Sequence, residues 1–150
     1  MSVEYVKDSK GEIKVVLSCD TAISANAEAY GKYLDTLDET HLNLTKEPTR
    51  IVMRTRLPYR LSEKVKRAQM YMKDGEIQFN AGYYMEEVRA SISGVENTAD
   101  AASPLEFKKD GDGGAHVEFM EMLEEFGETL NLFRARQVAM SNKADLLKKK

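Results

Sequence analysis

The segment from Thr49 to Leu57 constrains the fold of this chain most, because its residues alternate in polarity. Successive side chains of a β-strand point to opposite faces, so every second residue shares a face. One set is Ile51, Met53, Thr55 and Leu57, and the other set is Arg50, Val52, Arg54 and Arg56. The alternation predicts a half-buried strand with a row of arginines on its solvent face.

The segment before this strand is predicted to form a hairpin and a helix. Val3 and Tyr5 alternate with polar residues, as do Ile13, Val15 and Leu17. Residues 8–11, between the two segments, have the residue types that favour a turn. A helix capped by Asp20 or Thr21 follows, with apolar residues at helical spacing. These residues are Ile23, Ala27, Tyr30, Leu34 and Leu37. Residues 41–44 are predicted to form a short strand.

Helical spacing dominates the rest of the chain. A helix beginning at Ser62 places Val65, Ala68 and Met72 on one side and is interrupted at residues 74–75. A second helix runs from about residue 80 to Gly94. Leu105 and Phe107 are predicted to dock onto the core in an extended piece. From His116 a long amphipathic helix presents Phe119, Leu123, Phe126, Leu130 and Phe133, with Gly127 as a point where it bends or breaks.

The order of these elements predicts an α+β fold, with a small antiparallel strand region at the N-terminus followed by a helical C-terminal half. A chain of 150 residues fits one domain, which we place at residues 1–141. Residues 142–150 are polar and end in three lysines, so we expect a flexible Lys-rich tail there.

The net charge of −3 conceals strong segregation along the chain. Residues 46–67 carry a net charge of +6, residues 86–128 carry −9, and residues 129–150 carry +5. Such blocks favour docking and steering of partners, and they are also typical of the solvated faces of individual elements. Both interpretations stay open at the level of the sequence.

The sequence lacks the motifs of the common metal, disulfide and phosphate-binding sites. Cys19 is the only cysteine, and His41 and His116 are the only histidines, so an intramolecular disulfide is excluded and the usual zinc-ligand set is missing. The run from Asp110 to Gly114 is not a calcium loop, because the required positions fall on Lys108 and Phe119. No glycine-rich phosphate loop occurs. We therefore expect no enzyme activity, no metal and no cofactor.

Nucleic acid and membranes are disfavoured as partners. The basic segment 46–67 has the charge to follow phosphates, but the chain is acidic overall, with a pI near 5.5, and carries no recognition motif. The longest apolar runs are about three residues, far short of a membrane span.

Two surfaces are predicted to bind a protein partner. The first is the arginine row of Arg50, Arg54 and Arg56. The second is the apolar stripe of the long helix, formed by Phe119, Leu123, Phe126, Leu130 and Phe133. Opposite that stripe, Glu118, Glu121, Glu125 and Glu128 share a face that suits solvent or a basic partner.

From Glu47 to Leu147 the order of features resembles small tail-morphogenesis proteins of tailed bacteriophages, the tail assembly chaperone-like group. The segments that carry the resemblance are short: residues 47–50 leading into the arginine strand, a helix ending in residues 88–97, an extended segment at 104–107, an acidic helix and a Lys-rich end at 143–147. The chain departs from the group at Val95, where a tryptophan is usual, and over its first 45 residues.

The resemblance implies a non-enzymatic chaperone or adaptor that acts in the host cytoplasm during infection. Its partner would be a tail component, such as the tape-measure protein or the major tail subunit, and such proteins can form homo-oligomers. An alternative is a structural protein retained in the virion, such as a decoration, connector or minor tail protein. The resemblance also implies that the reading frame can be extended by frameshifting. The three terminal lysines would permit the A-rich slippery sequence that frameshifting uses.

Overall fold

The structure, a computed structural model, describes residues 11–79, 82–97 and 105–148. The described elements are, in chain order, β1 (Glu12–Val16), α1 (Ala27–Thr36), a 3-10 helix (Glu39–Leu42), β2 (Arg50–Arg54), α2 (Tyr59–Gln69), β3 (Met70–Lys73), β4 (Glu76–Phe79), α3 (Tyr83–Ser91), β5 (Ile92–Glu96), α4 (Val117–Glu125) and α5 (Thr129–Lys148). An antiparallel sheet begins early in the chain and helices dominate later, so the predicted α+β class is confirmed. The strand predicted at residues 3–5 lies outside the described residues.

β2 is the central strand of an antiparallel sheet with the order β1-β2-β5. Ile51, Val52 and Met53 are all buried, so the strand is not half-exposed as its alternation predicts. On the face expected to be in solvent, Val52 is buried and Arg54 donates to the backbone carbonyl of Ala90 in α3. The sequence pattern identified the strand and missed these contacts of its second face.

Two tyrosines of α1 hold the end of strand β1. The Tyr30 hydroxyl donates to the carbonyl oxygen of Val16 at 2.7 Å, and the Val16 N–H donates to the Tyr33 hydroxyl at 2.9 Å. Both tyrosines are buried, and burial raises the pKa of each phenol above its ordinary range. Tyr30 belongs to the apolar spacing predicted for this helix and Tyr33 does not, and together the two supply core packing and the backbone partners of Val16.

The helix begins later than predicted. α1 is capped by Asn26, and not by Asp20 or Thr21. Asp20 has another role, because its carboxylate accepts the N–H of Thr49 at 2.9 Å and so ties the loop after β1 to the residue before β2. A carboxylate that follows a strand can cap a helix or accept a hydrogen bond from a distant backbone N–H, and Asp20 does the second.

Two further predictions of local structure are wrong. Residues 39–42 form a 3-10 helix, and residue 44 pairs as an isolated bridge, where a strand was expected. The helix expected to include Met72 ends at Gln69, and β3 and β4 form a hairpin in its place. Asp74 and Gly75 have φ angles of 53° and 80°. Two successive positive φ angles are what a two-residue hairpin turn requires.

The helix predicted to reach Gly94 ends at Ser91, and β5 begins at the next residue. Ile92 pairs with Met53, and a register shift in β2 lies beside this pair. A β-branched residue packs well on a pleated surface. Pairing with β2, distant in sequence, therefore overrides the helical spacing.

The long amphipathic helix is broken at Gly127, one of the two outcomes expected there. The Gly127 N–H donates to the carbonyl of Glu124 at 3.0 Å, and the Glu128 N–H donates to the carbonyl of Leu123 at 2.9 Å. With a φ of 70° at Gly127, these bonds form a Schellman motif that ends α4. α5 begins two residues later, so the chain turns sharply between two helices.

The segment before α4 docks on the core as expected. Leu105 and Phe107 pack against the buried cluster, and the ring of Phe107 meets that of Phe119 edge to face at a centroid distance of 5.1 Å. The backbone of α5 continues to Lys148. The domain boundary at residue 141 stays a prediction.

Candidate partner-binding surface

Intramolecular contacts hold much of the arginine row. The guanidinium of Arg50 donates to both carboxylate oxygens of Glu39, at 2.7 and 2.9 Å, and to Glu47 at 3.0 Å. Arg54 donates to the carbonyl oxygens of Ala90 at 2.7 Å and Gly113 at 3.0 Å. These two arginines stabilise the fold.

The third arginine of the row, Arg56, lies on a different surface. Arg56 is exposed, and α2 begins three residues after it with its apolar side, Leu61 and Val65, buried. The opposite side of α2 lies in solvent. We define the α2 face as the exposed residues Arg56, Tyr59, Arg60, Lys66 and Arg67.

A buried ion pair that the sequence did not reveal supports the end of β2. Arg136 of α5 donates to the carboxylate of Glu87 at 2.7 Å and to the carbonyl oxygens of Arg54 and Thr55 at 2.7 and 3.2 Å. Gln137 donates to the same oxygen of Glu87 at 2.7 Å. Burial lowers the pKa of Arg136, while Glu87 opposes that shift. A polar residue between apolar positions of a helix is a weak signal, so only the structure finds this pair.

The Asp110–Gly114 run forms a charged cluster with α2 and α3. Asp112 accepts from Arg89 at 2.6 Å and from Lys64 at 2.6 Å, and Arg89 also pairs with Glu86. The guanidinium of Arg89 holds the pKa of the Asp112 carboxyl well below its usual range. Within the described residues, no group of three or more His, Cys, Asp or Glu side chains is arranged to hold a metal ion.

The predicted apolar stripe divides into buried and exposed residues. Phe119 and Leu123 are buried in the core. Phe133 is partly buried and packs against two tyrosine rings of α3. Phe126 and Leu130 are 54% and 60% exposed. Phe126 and Leu130 are therefore the members of the stripe that offer the most surface to a partner.

Exposed carboxylates accompany this exposed pair. Glu121, Glu124 and Glu125 are exposed near the end of α4, directly before Phe126. We define the acidic corner as Glu121, Glu124, Glu125, Phe126 and Leu130. It combines two large apolar side chains with three negative charges. This is the composition expected of a site for a basic amphipathic segment.

The spacing predicted that Glu128 lies on the solvated glutamate face, and this prediction is wrong. Glu128 is fully buried, and its carboxylate accepts the hydroxyl of Ser18 at 2.7 Å and the N–H groups of Ser18 and Cys19 at 3.2 and 3.1 Å. Asn131 also donates to it. The break at Gly127 rotates the chain, so the spacing of one continuous helix no longer applies. Glu128 thereby fixes the corner to the loop after β1.

The remaining candidate groups for chemistry are Cys19, His41 and His116. Cys19 is exposed, and partial desolvation of its thiol, followed by the charge of Glu128, raises the pKa of the thiol to about 11, the opposite of what an activated nucleophile needs. His41 lies in the 3-10 helix, and among the described residues no hydrogen bond joins it to Cys19. The imidazole of His116 accepts the N–H of Glu118 at 3.1 Å and caps α4.

A groove of about 430 Å³ lies between α1 and α5. Its lining includes Tyr30, Leu34, Asn131 and Arg134. Arg134 pairs with Asp35 of α1 at 2.6 Å, so its charge is partly neutralised within the chain. The groove includes none of the residues predicted to bind a partner.

Comparison with protein-family models, with curated proteins and with solved structures finds no match to the chain. Among the described residues, no helix has both the length and the apolar character needed to cross a membrane.

Proposed function

We propose that this protein is a non-enzymatic adaptor that binds a basic amphipathic segment of a partner protein at the acidic corner. The observation that supports this proposal is the exposure of Phe126 and Leu130, which follow three exposed glutamates of α4 in the chain. Large apolar side chains in solvent favour association, because covering them removes apolar area from water.

The construction of the corner supports the same proposal. Glu128 and the Schellman bonds at Gly127 fix the backbone between the two helices, so Phe126 and Leu130 project from a rigid turn. A rigid surface loses less conformational entropy when a partner binds. Neighbouring carboxylates would attract a basic segment and set its orientation.

The resemblance to tail-morphogenesis proteins gives the proposal its specific form, a tail assembly chaperone or adaptor whose partner is a tail component such as the tape-measure protein. Co-expression of the full chain with the tail proteins encoded beside it tests this form. We expect one of them to co-purify, and the interaction to be lost in Phe126→Ser/Leu130→Ser. Val117→Ser, at a residue 58% exposed at the start of α4, is the matched control.

Three results would contradict the proposal. One is a coding region without tail genes beside this one, which would remove the tail-specific form. The second is co-purification that is unchanged in Phe126→Ser/Leu130→Ser, which would place the binding site elsewhere. The third is the presence of the chain in purified virions, which would favour the alternative of a structural protein over a chaperone.

A further inference from the structure

Two surfaces of this chain are complementary in charge and in apolar character. α4 and the turn after it contain exposed glutamates and no basic residue, whereas the α2 face carries four basic residues. Each surface also exposes an aromatic side chain, Phe126 on the acidic corner and Tyr59 on the α2 face. A surface of each kind on one chain means that every copy carries both halves of a possible contact.

Most other charges near these surfaces are already paired within the chain. Lys64 is bound to Asp112, and Arg89 is bound to Glu86 and Asp112. In contrast, no ion pair within the described part of the chain engages Arg56, Arg60 or Arg67 of the α2 face. The same holds, within those residues, for the carboxylates of Glu121, Glu124 and Glu125. Unpaired charges of opposite sign are thus present on the two surfaces, although Lys66 of the α2 face pairs with Glu63.

We propose that the α2 face of one copy docks onto the acidic corner of a second copy. The two surfaces belong to different elements, the α2 face to α2 and the segment before it, and the acidic corner to α4, the turn after it and the start of α5. The contact is therefore heterologous, and each copy can use its α2 face and its acidic corner at once. Such a contact builds a closed ring or an open chain of copies.

This inference goes beyond the proposed function, although both use the acidic corner. A second copy and a partner protein would compete for Phe126 and Leu130. Self-association would then cover the corner until the partner displaces the second copy. The α2 face takes no part in partner binding, so changes on it separate the two proposals.

Charge reversal with complementation tests the contact. The corner variant is Glu121→Lys/Glu125→Lys, and its charge-matched control is Glu28→Lys/Glu76→Lys, at exposed positions elsewhere. The α2 variant is Arg60→Glu/Arg67→Glu, and its control is Lys32→Glu/Lys46→Glu. The mass of each full-length chain is measured by sedimentation equilibrium as a function of concentration, at salt concentrations of about 0.1 M and about 1 M.

We expect the wild-type chain to associate at the lower salt concentration and to dissociate at the higher one, because the Debye length falls from about 10 Å to about 3 Å. Each reversed variant alone should associate about tenfold or more weakly, and both controls should behave as wild type. An equimolar mixture of the two reversed variants should associate again, since each then offers the other a complementary surface.

The proposal is overturned by a wild-type chain that stays monomeric, by reversed variants that associate like wild type, or by a mixture that does not associate. Binding of nucleic acid to the α2 face of a monomeric chain would likewise replace it. Partner binding that persists in Arg60→Glu/Arg67→Glu while self-association is lost supports both proposals. Self-association without any partner at the corner would leave this inference standing and remove the proposed function.

Discussion

Replacement of Arg136 by methionine should destabilise the fold strongly, because this side chain serves three buried acceptors. Arg136 is 3% exposed and bonds to the Glu87 carboxylate and to the carbonyl oxygens of Arg54 and Thr55. Arg136→Met leaves Glu87 buried without its cation and removes the donor to two carbonyls. Removing one partner of a buried ion pair costs about 3–5 kcal/mol. We expect a loss of that size in the free energy of unfolding.

Urea unfolding followed by circular dichroism measures this loss, from the midpoint at a constant slope. Arg134→Met is the matched control, since Arg134 lies on the same helix and pairs with Asp35, but both side chains are about half exposed. An exposed pair contributes at most about 1 kcal/mol. Equal, small losses for Arg136→Met and Arg134→Met would refute the role given to the buried pair.

A double replacement separates the pair from the rest of the site. Glu87→Leu/Arg136→Met removes both charges, so it leaves no isolated charge in the interior. We expect it to cost less than the sum of the two single replacements, by about 1–3 kcal/mol. Strict additivity would mean that Glu87 and Arg136 are not coupled, against their 2.7 Å contact.

Three further predictions concern single groups. Tyr33→Phe removes the acceptor of a buried strand N–H and should cost about 1–3 kcal/mol in the free energy of unfolding, whereas Tyr59→Phe, at an exposed position, should cost almost nothing in the same urea assay. Arg89 lowers the pKa of Asp112 below its ordinary value of 3.8, so the stability that this pair contributes is present above that pH and is lost as the pH falls further. The difference in unfolding free energy between wild type and Asp112→Asn should therefore shrink below about pH 4. A difference that stays constant with pH would contradict this prediction. With its pKa raised to about 11, the Cys19 thiol should react with a disulfide reagent at pH 8 about tenfold or more slowly in the folded chain than in urea, and equal rates would contradict the shift.

Local patterns in the sequence predicted several elements of the fold. The alternation of residues 49–57 identified β2, and helical spacing identified the buried side of α1, with Tyr30 and Leu34. Gly127 was recognised as a possible break in the long helix. In each case the signal is the spacing of apolar side chains or the conformational freedom of a glycine, and both can be read from a single sequence.

The errors have a common physical cause in contacts between distant residues. Helical spacing predicted that the β5 segment is the end of a helix. It forms a strand because it pairs with β2, about forty residues away in the sequence, and no local pattern records such a pairing. Arg54 was expected in solvent, but the carbonyls of Ala90 and Gly113 hold it. Glu128 was expected on a solvated face, and the turn at Gly127 carries it into the interior.

The predicted contact residues illustrate the same limit. Helical spacing groups Phe119, Leu123, Phe126, Leu130 and Phe133 as one apolar series, which the break at Gly127 divides between α4, the turn after it and α5. Spacing alone does not tell which members of such a series face the core of the chain and which face a partner. The structure buries the first two and exposes Phe126 and Leu130, and so narrows the candidate surface to the acidic corner.

Hydrogen–deuterium exchange of the full chain, with and without a co-purifying tail protein, tests the central claim most directly. The account predicts that binding slows exchange of backbone amides in residues 121–132, which include the acidic corner, and leaves exchange in α1 unchanged. Slower exchange confined to α1 and the groove beside it, with no change in residues 121–132, would contradict the account.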